Sequence, residues 1–372
     1  AGARPVGTLL EAAERDGLAT GLVTTTRITH ATPAAFYAHT TDRDQENEIA
    51  PWLLDSGVEV AFGGGARHFL PVESGGARVD GRNLVAEADA AGFIVVRDRS
   101  GFRDVETTPV MALMAESHLD YEIDRDPSEQ VSLDEMTARA LELLDDREQP
   151  FFLMVEAGRP DHAGHSNDPA SLIRDMEAYE RAFETIMDFA RRNGSTLVVA
   201  TSDHETGGLG IGRNFSGPEV YQYWPERLEP VSKSAELFRM QFQQIAERGA
   251  SASDLRTWVD RQLEMHFDTE SLDDERSDRM DQLIRAAQQG PGYTTARAVA
   301  DEVMDILSER AWVGWYSTGH SAVDVPLFAF GPGAERFMGS IENTEIALRI
   351  AEIMGIDMTD ATMNLRRNWQ SD

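Results

Sequence analysis

Phe151-Phe152-Leu153-Met154-Val155-Glu156-Ala157-Gly158-Arg159-Pro160-Asp161-His162-Ala163-Gly164-His165 begins as an apolar run and ends as a row of reactive side chains. Phe151 to Met154 reads as a buried strand. In the eleven residues from Val155 to His165, five ionise or bind metals: Glu156, Arg159, Asp161, His162 and His165. Ligands of open α/β sheets collect at the carboxyl ends of strands. Asp161 and His165 are four apart, so on a helical turn they share one face. A carboxylate oxygen and an imidazole nitrogen placed that way suit one zinc ion. An ordinary polar strand-to-helix loop would carry the same residues, so the choice rests on whether other parts of the chain repeat the pattern.

Asp203-His204 does repeat it, directly after a second apolar strand, Thr196–Thr201. Thr318-Gly319-His320 lies just before a third, Val325–Gly331. Three His/Asp sites beside strands point to a binuclear metal site. Zinc takes three N/O protein ligands and keeps one position open. Two ions about 4 Å apart clamp the attacking and leaving oxygens of a phosphoryl group.

Short apolar strands alternating with helices predict an α/β fold with a mainly parallel central sheet flanked by helices. Further strands are expected at residues 19–25, 59–62 and 92–96. Helices are expected at Thr8–Asp16, from Thr32 (as N-cap, with Pro33 first inside), at Ser132–Asp145 with a Ser132/Glu135 capping box, and at Asp168–Arg192, ended by Asn193-Gly194. A final helix is expected at Asn343–Met354, stopped by Gly355. Gly63-Gly64-Gly65 reads as a tight turn. Between 207 and 311 the composition shifts and no convincing buried strand is visible. Helices near Ser234–Arg248, Ser253–Met265 and Thr294–Arg310 make 207–310 a helical insertion over the α/β domain of 1–206 and 311–372. Asp268–Asp281 reads as a solvated loop or helix end.

Composition narrows the function. The chain has 65 acidic and 34 basic residues, a net charge of −31, and Lys233 is its only lysine. That charge argues against nucleic-acid backbones as partners. There is no cysteine, so any zinc must use histidine and carboxylate. No apolar run is long enough for a transmembrane helix, and Ala1-Gly2-Ala3-Arg4-Pro5 lacks the apolar region of a secretory signal.

The chain resembles the alkaline phosphatases. The resemblance lies in Gly21–Ala34, Phe151–His165, Thr201-Ser202-Asp203-His204-Glu205-Thr206-Gly207 and Thr318-Gly319-His320, in family order. It implies phosphate monoester hydrolysis on two Zn2+ and one Mg2+. By position it implies that Asp161, His165 and His320 hold the first zinc, and Asp203 and His204 part of the second. Thr32 and Glu156 match magnesium ligands, and Arg43 the arginine that grips the phosphate. His30 and His162 match a variable pair beside the magnesium site, where two histidines lower magnesium affinity or suit an additional zinc. His39 reads as structural, and His68, His118 and His266 as surface or core residues. Glu205 reads as a supporting or surface residue, and Trp315 as lining the cleft or packing in the core. The family also implies a homodimer and a periplasmic or extracellular location. A phosphodiesterase or sulfatase of the same superfamily is the nearest alternative.

Two parts of the family pattern are not in these residues: a zinc-bridging aspartate on a first strand, and a nucleophilic serine in an Asp-Ser-Ala context. Asp55-Ser56-Gly57 is rejected because it follows the arginine motif and precedes a different strand. The expectation is that this is the carboxyl part of a longer protein. The competing expectation is a metal-binding or assembly protein without catalysis.

Acidic excess with almost no lysine is a halophile's composition, in which salt screens repulsion between carboxylates. The melting temperature is expected to rise between low ionic strength and molar NaCl; a flat profile would remove this reading.

Overall fold

The apolar runs become strands where both faces of a sheet can be covered. In the computed structural model, which describes residues 4–145, 149–212, 222–269 and 271–368, five strands form the central sheet. They are β1 (Ala19–Arg27), β2 (Val60–Gly64), β3 (Ile94–Val96), β4 (Val110–Leu113) and β5 (Phe151–Glu156), in the order β3-β4-β2-β1-β5. All pair in parallel. β1 is buried on both faces along nearly its whole length, as a central parallel strand must be. Its register with β5 sets Thr24 opposite Glu156, so both chains deliver polar side chains at the same edge. β4 has no counterpart in the sequence reading; it is a four-residue strand directly after Pro109, too short to show a period.

Two strands expected to be buried are not. Every residue of β5 is half-buried, because β5 is the edge of the five-stranded sheet. β6 (Val198–Thr201) lies outside that sheet and pairs antiparallel with the strand Leu327–Phe330. Phe328 of that ribbon is 62% exposed. Short ribbons β7 (Glu205–Thr206), β8 (Gly210–Ile211), β9 (Val313–Gly314) and β10 (His320–Ser321) fill the connections, with β7 paired to β10 and β8 to β9.

The long helix Pro169–Asn193 connects β5 to β6. The Asp168 carboxylate caps it, accepting from the Ser171 backbone N–H at 3.0 Å. Gly194 ends it at φ 73°, a left-handed conformation that suits glycine. Its inner face packs on the helix Leu133–Asp145, whose Ser132/Glu135 capping box is formed.

The segment 235–311 supplies four helices: Ala235–Glu247, Ala252–His266, Asp274–Gln289 and Tyr293–Ala311. Phe238, Phe242, Leu255, Val259, Ile284 and Val303 bury in a core of their own there, at about 1.5–3 kcal/mol for each large side chain. The acidic stretch Asp268–Asp281, read as a solvated loop or helix end, is helical from Asp274 onward, in the helix Asp274–Gln289. Asp273 caps it by accepting from the Arg276 backbone N–H at 2.8 Å, and Met280, Ile284 and Ala287 turn inward. Two other expectations change. Thr32 is not an N-cap: the short helix spans Ala31–Ala34 and His30, in extended backbone, precedes it. Asn343–Met354 is not the final helix, since Met358–Asn368 follows it and packs against the helix Leu9–Arg15. Ala1–Ala3 at the N-terminus lie outside the described residues.

Asp175, on the inner face of the long helix, is 4% exposed. Burial pushes its carboxyl up to about 8, against about 3.9 in an unfolded chain. The fold prefers the neutral acid. Its contribution to stability is complete below about pH 4 and lost as pH rises through about 8. Asp175→Asn is expected to flatten the decline in stability between pH 4 and 9, measured by urea unfolding; parallel pH profiles for the two proteins would contradict it.

Candidate metal centre

At the end of β5 the backbone turns sharply at Gly158, where a Cβ would lie 2.2 Å from the Thr26 side chain. The seven-residue helix Arg159–His165 starts there. Its spacing puts the Asp161 carboxylate 3.4 Å from His165 Nε2. His320 arrives from β10, whose register on β7 sets it opposite Thr206. His320 Nε2 lies 3.1 Å from His165 Nε2 and 3.7 Å from Asp161 Oδ1. Their ligand atoms all fall within 4.8 Å of one another.

The surrounding bonds prepare this group for a cation. His165 Nδ1 donates to the Thr318 carbonyl at 2.7 Å, which leaves a lone pair on Nε2, directed at the cluster. Thr206 Oγ1 donates to Asp161 Oδ1 at 2.5 Å. Two imidazole nitrogens and one carboxylate oxygen are a zinc donor set, and His320, its side chain 46% exposed, keeps one side open to solvent. His204 stacks on His320 with ring centroids 3.5 Å apart. Its Nε2 is 3.2 Å from Asp203 Oδ2, and the Asp203 side chain is 68% exposed. Asp203 and His204 thus adjoin the first group as a two-residue donor pair.

Glu156 sits on the other side. Its Oε2 accepts from Thr24 Oγ1 at 2.5 Å and Thr26 Oγ1 at 3.2 Å, and Thr32 also hydrogen-bonds its carboxylate. Burial pushes this carboxyl above the usual range against those hydroxyl donors. An oxygen-only set of this kind fits a hard ion such as magnesium.

A third group corrects the reading of His118. His30, His118 and His162 bring ligand atoms within 4.8 Å of one another. Arg27 donates its backbone N–H to His118 Nδ1 at 3.2 Å, Arg159 Nη1 donates to His162 Nδ1 at 2.9 Å, and Arg43 Nη2 donates to His30 Nε2 at 3.3 Å. Burial, with Arg27 and Arg43 nearby, lowers His30 to about 4. Burial and neighbouring positive groups push His118 and His162 down as well. These imidazoles are neutral acceptors for arginines. His118 was missed because β4 was missed: it stands just past β4, on the sheet edge that carries the other site residues. Gly64 lets it approach, since a Cβ there would lie 2.0 Å from the Ser117 carbonyl.

The remaining candidate residues have structural partners. His39 bonds Glu11 at 2.8 Å, His68 Nδ1 bonds Asn47 at 2.8 Å, and His266 bonds Ser232 at 2.9 Å. Ser56 Oγ donates to the Leu53 carbonyl at 2.8 Å, at the end of the helix Glu46–Asp55. Glu205 accepts from the Gly208 N–H at 2.7 Å. Trp315 Nε1 donates to Ser308 Oγ at 3.0 Å, and its ring lines a cavity of about 530 Å³ beside Ser166 and Thr318.

The alkaline phosphatase family pattern matches residues 1–356. The chain belongs to the alkaline phosphatase family. The repressible alkaline phosphatase of Saccharomyces cerevisiae is 35% identical over 98% of this chain and 69% of its own length. Alkaline phosphatase 3 of Bacillus subtilis is 34% identical over 92% of this chain and 69% of its own. The crystal structure of Thermus thermophilus alkaline phosphatase superposes with a TM-score of 0.79 at 31% identity, covering 98% of this chain and 78% of that one. Family and fold together make this a phosphate monoester hydrolase.

A ligand at 100 times its Kd stabilises a fold by about 2.7 kcal/mol. Zinc is therefore expected to raise the melting temperature of this chain, and His320→Ala to remove most of the increase. An equal zinc shift in both proteins would count against the cluster as the binding site.

Proposed function

We propose a two-zinc, one-magnesium phosphomonoesterase in which Asp161, His165 and His320 hold the first zinc, Asp203 and His204 hold part of the second, and Thr32 and Glu156 hold magnesium. The observation that carries this reading is the convergence of Asp161, His165 and His320 at the exit of β5. When bound, the zinc ions would supply Lewis-acid stabilisation of the attacking and leaving oxygens.

Within this reading, Arg43 grips the phosphoryl oxygens with its planar fork. His30 accepts from Arg43 and aims it, while His162 plays the same part for Arg159. On the family's pattern the nucleophile would be a serine hydroxyl and the second zinc's remaining ligand an aspartate, neither of which is matched in these 372 residues. The serine oxygen bonds to phosphorus as the ester P–O bond breaks, and the leaving alcohol takes a proton. Water then cleaves the phosphoserine. A homodimer outside the cytoplasm completes the proposal on the family's pattern; no described helix is long and apolar enough to cross a membrane.

His320→Ala and Asp161→Ala, made in protein that includes the serine-bearing segment, are each expected to abolish hydrolysis of an aryl phosphate and to lower zinc content. Unchanged zinc and rate in either variant would refute the assignment. A preference for an aryl phosphodiester or aryl sulfate would move the enzyme to another branch of the superfamily. Zinc binding without hydrolysis, with the serine segment present, would favour the non-catalytic alternative.

A further inference from the structure

Two of the three cluster ligands ride on the helix Arg159–His165, and a helix of seven residues has little stability of its own. Both of its ends are held from the same direction. At the start, Arg159 is 1% exposed. Its guanidinium lies 3.7 Å from the centre of the Tyr121 ring and donates to Glu236 at 2.9 Å. Glu236 stands in the first turn of the helix Ala235–Glu247. At the other end, the carbonyl of His165 itself accepts from Arg297 Nη2 at 2.7 Å. Arg297 belongs to the helix Tyr293–Ala311 and is steadied by Asp301 at 2.6 Å.

A third tie lies three residues further on. Asp168, which caps the next helix, also accepts from the Ala235 backbone N–H at 2.8 Å. The two helices that provide these ties pack against each other and share one core. The last carbonyls of a helix have no partner within it, and a cation there is favoured by the helix dipole. Arg297 meets both conditions on the residue that also offers Nε2 to the cluster. Metal ligands tolerate displacements of only about 0.5 Å, so whatever fixes this short helix fixes the site.

We propose that the helical insertion is a clamp that keeps Asp161 and His165 in metal-binding register, with Arg297 and Glu236 as positioning residues. The proposal rests on the zinc reading of the Asp161–His165–His320 cluster. It gives the 235–311 segment a role in metal retention that its composition does not show.

The test is zinc affinity by competition with a chromophoric chelator, on the full chain and on Arg297→Ala, Arg297→Lys and Glu236→Ala, with melting temperatures of the metal-stripped proteins. Residues that orient metal ligands typically change affinity roughly 10- to 100-fold. Arg297→Ala is expected in that range, with its metal-stripped melting temperature close to that of the parent. Arg297→Lys should recover part of the affinity, because one N–H can still reach the carbonyl. Glu236→Ala should weaken zinc by a smaller factor. Parental zinc affinity in Arg297→Ala, or a loss that only tracks a lower melting temperature across all three variants, would overturn the clamp. Failure of the zinc reading would look different: the parent would not bind zinc, or His320→Ala would bind it as well as the parent.

Discussion

The parallel pairing of β1 with β5 sets the geometry on which the rest depends. Its register places Thr24 beside Glu156, and the threonine hydroxyl donates to that carboxylate at 2.5 Å. Because the strands are parallel, their carboxyl ends lie at one edge, and every loop leaving that edge can reach the others. The helix carrying Asp161 and His165 starts there, as does the short helix Ala31–Ala34 that carries Thr32, with His30 just before it. A shift of one residue would turn Glu156 to the opposite face and separate the oxygen donors from the nitrogen donors.

The electrostatics of that edge run against those of the whole protein. The chain carries −31, yet Arg27, Arg43 and Arg159 gather at one end of the site around His30, His118 and His162. Burial and those cations keep the imidazoles neutral. Neutral imidazoles accept hydrogen bonds from arginine, so they orient the guanidinium groups without cancelling their charge. Beside them the carboxylates Asp161 and Asp203 face His165, His320 and His204. Arginines thus gather at one end of the site and carboxylates at the other, with Arg27 and Arg159 also paired to Glu46 and Glu236.

Much of this was legible residue by residue. The four-residue spacing of Asp161 and His165 implied one helical face, and the structure puts them 3.4 Å apart. The Ser132 cap and the Gly194 and Gly355 stops were read correctly because caps act locally. The failures were non-local. β5 and β6 look like buried strands, since an apolar run does not reveal whether a neighbour covers it. The helix Asp274–Gln289 was hidden by its charge, as its buried side is only a narrow line of Met280, Ile284 and Ala287. His118 had no local pattern at all, because its partners are 88 and 44 residues away in the chain.

The sequence by itself determined the donor chemistry. With no cysteine, metal binding falls to histidine and carboxylate, and strand-then-Asp/His repeats place those donors at loop starts. Tertiary structure alone decided which donors meet. His320 reaches His165 across 155 residues because β10 pairs with β7, and His165 is aimed by the Thr318 carbonyl and tied by Arg297. Spacing along a chain sets which residues share a face of one element. Only the packing of separate elements brings two faces within the few angstroms over which a metal ion can bridge them.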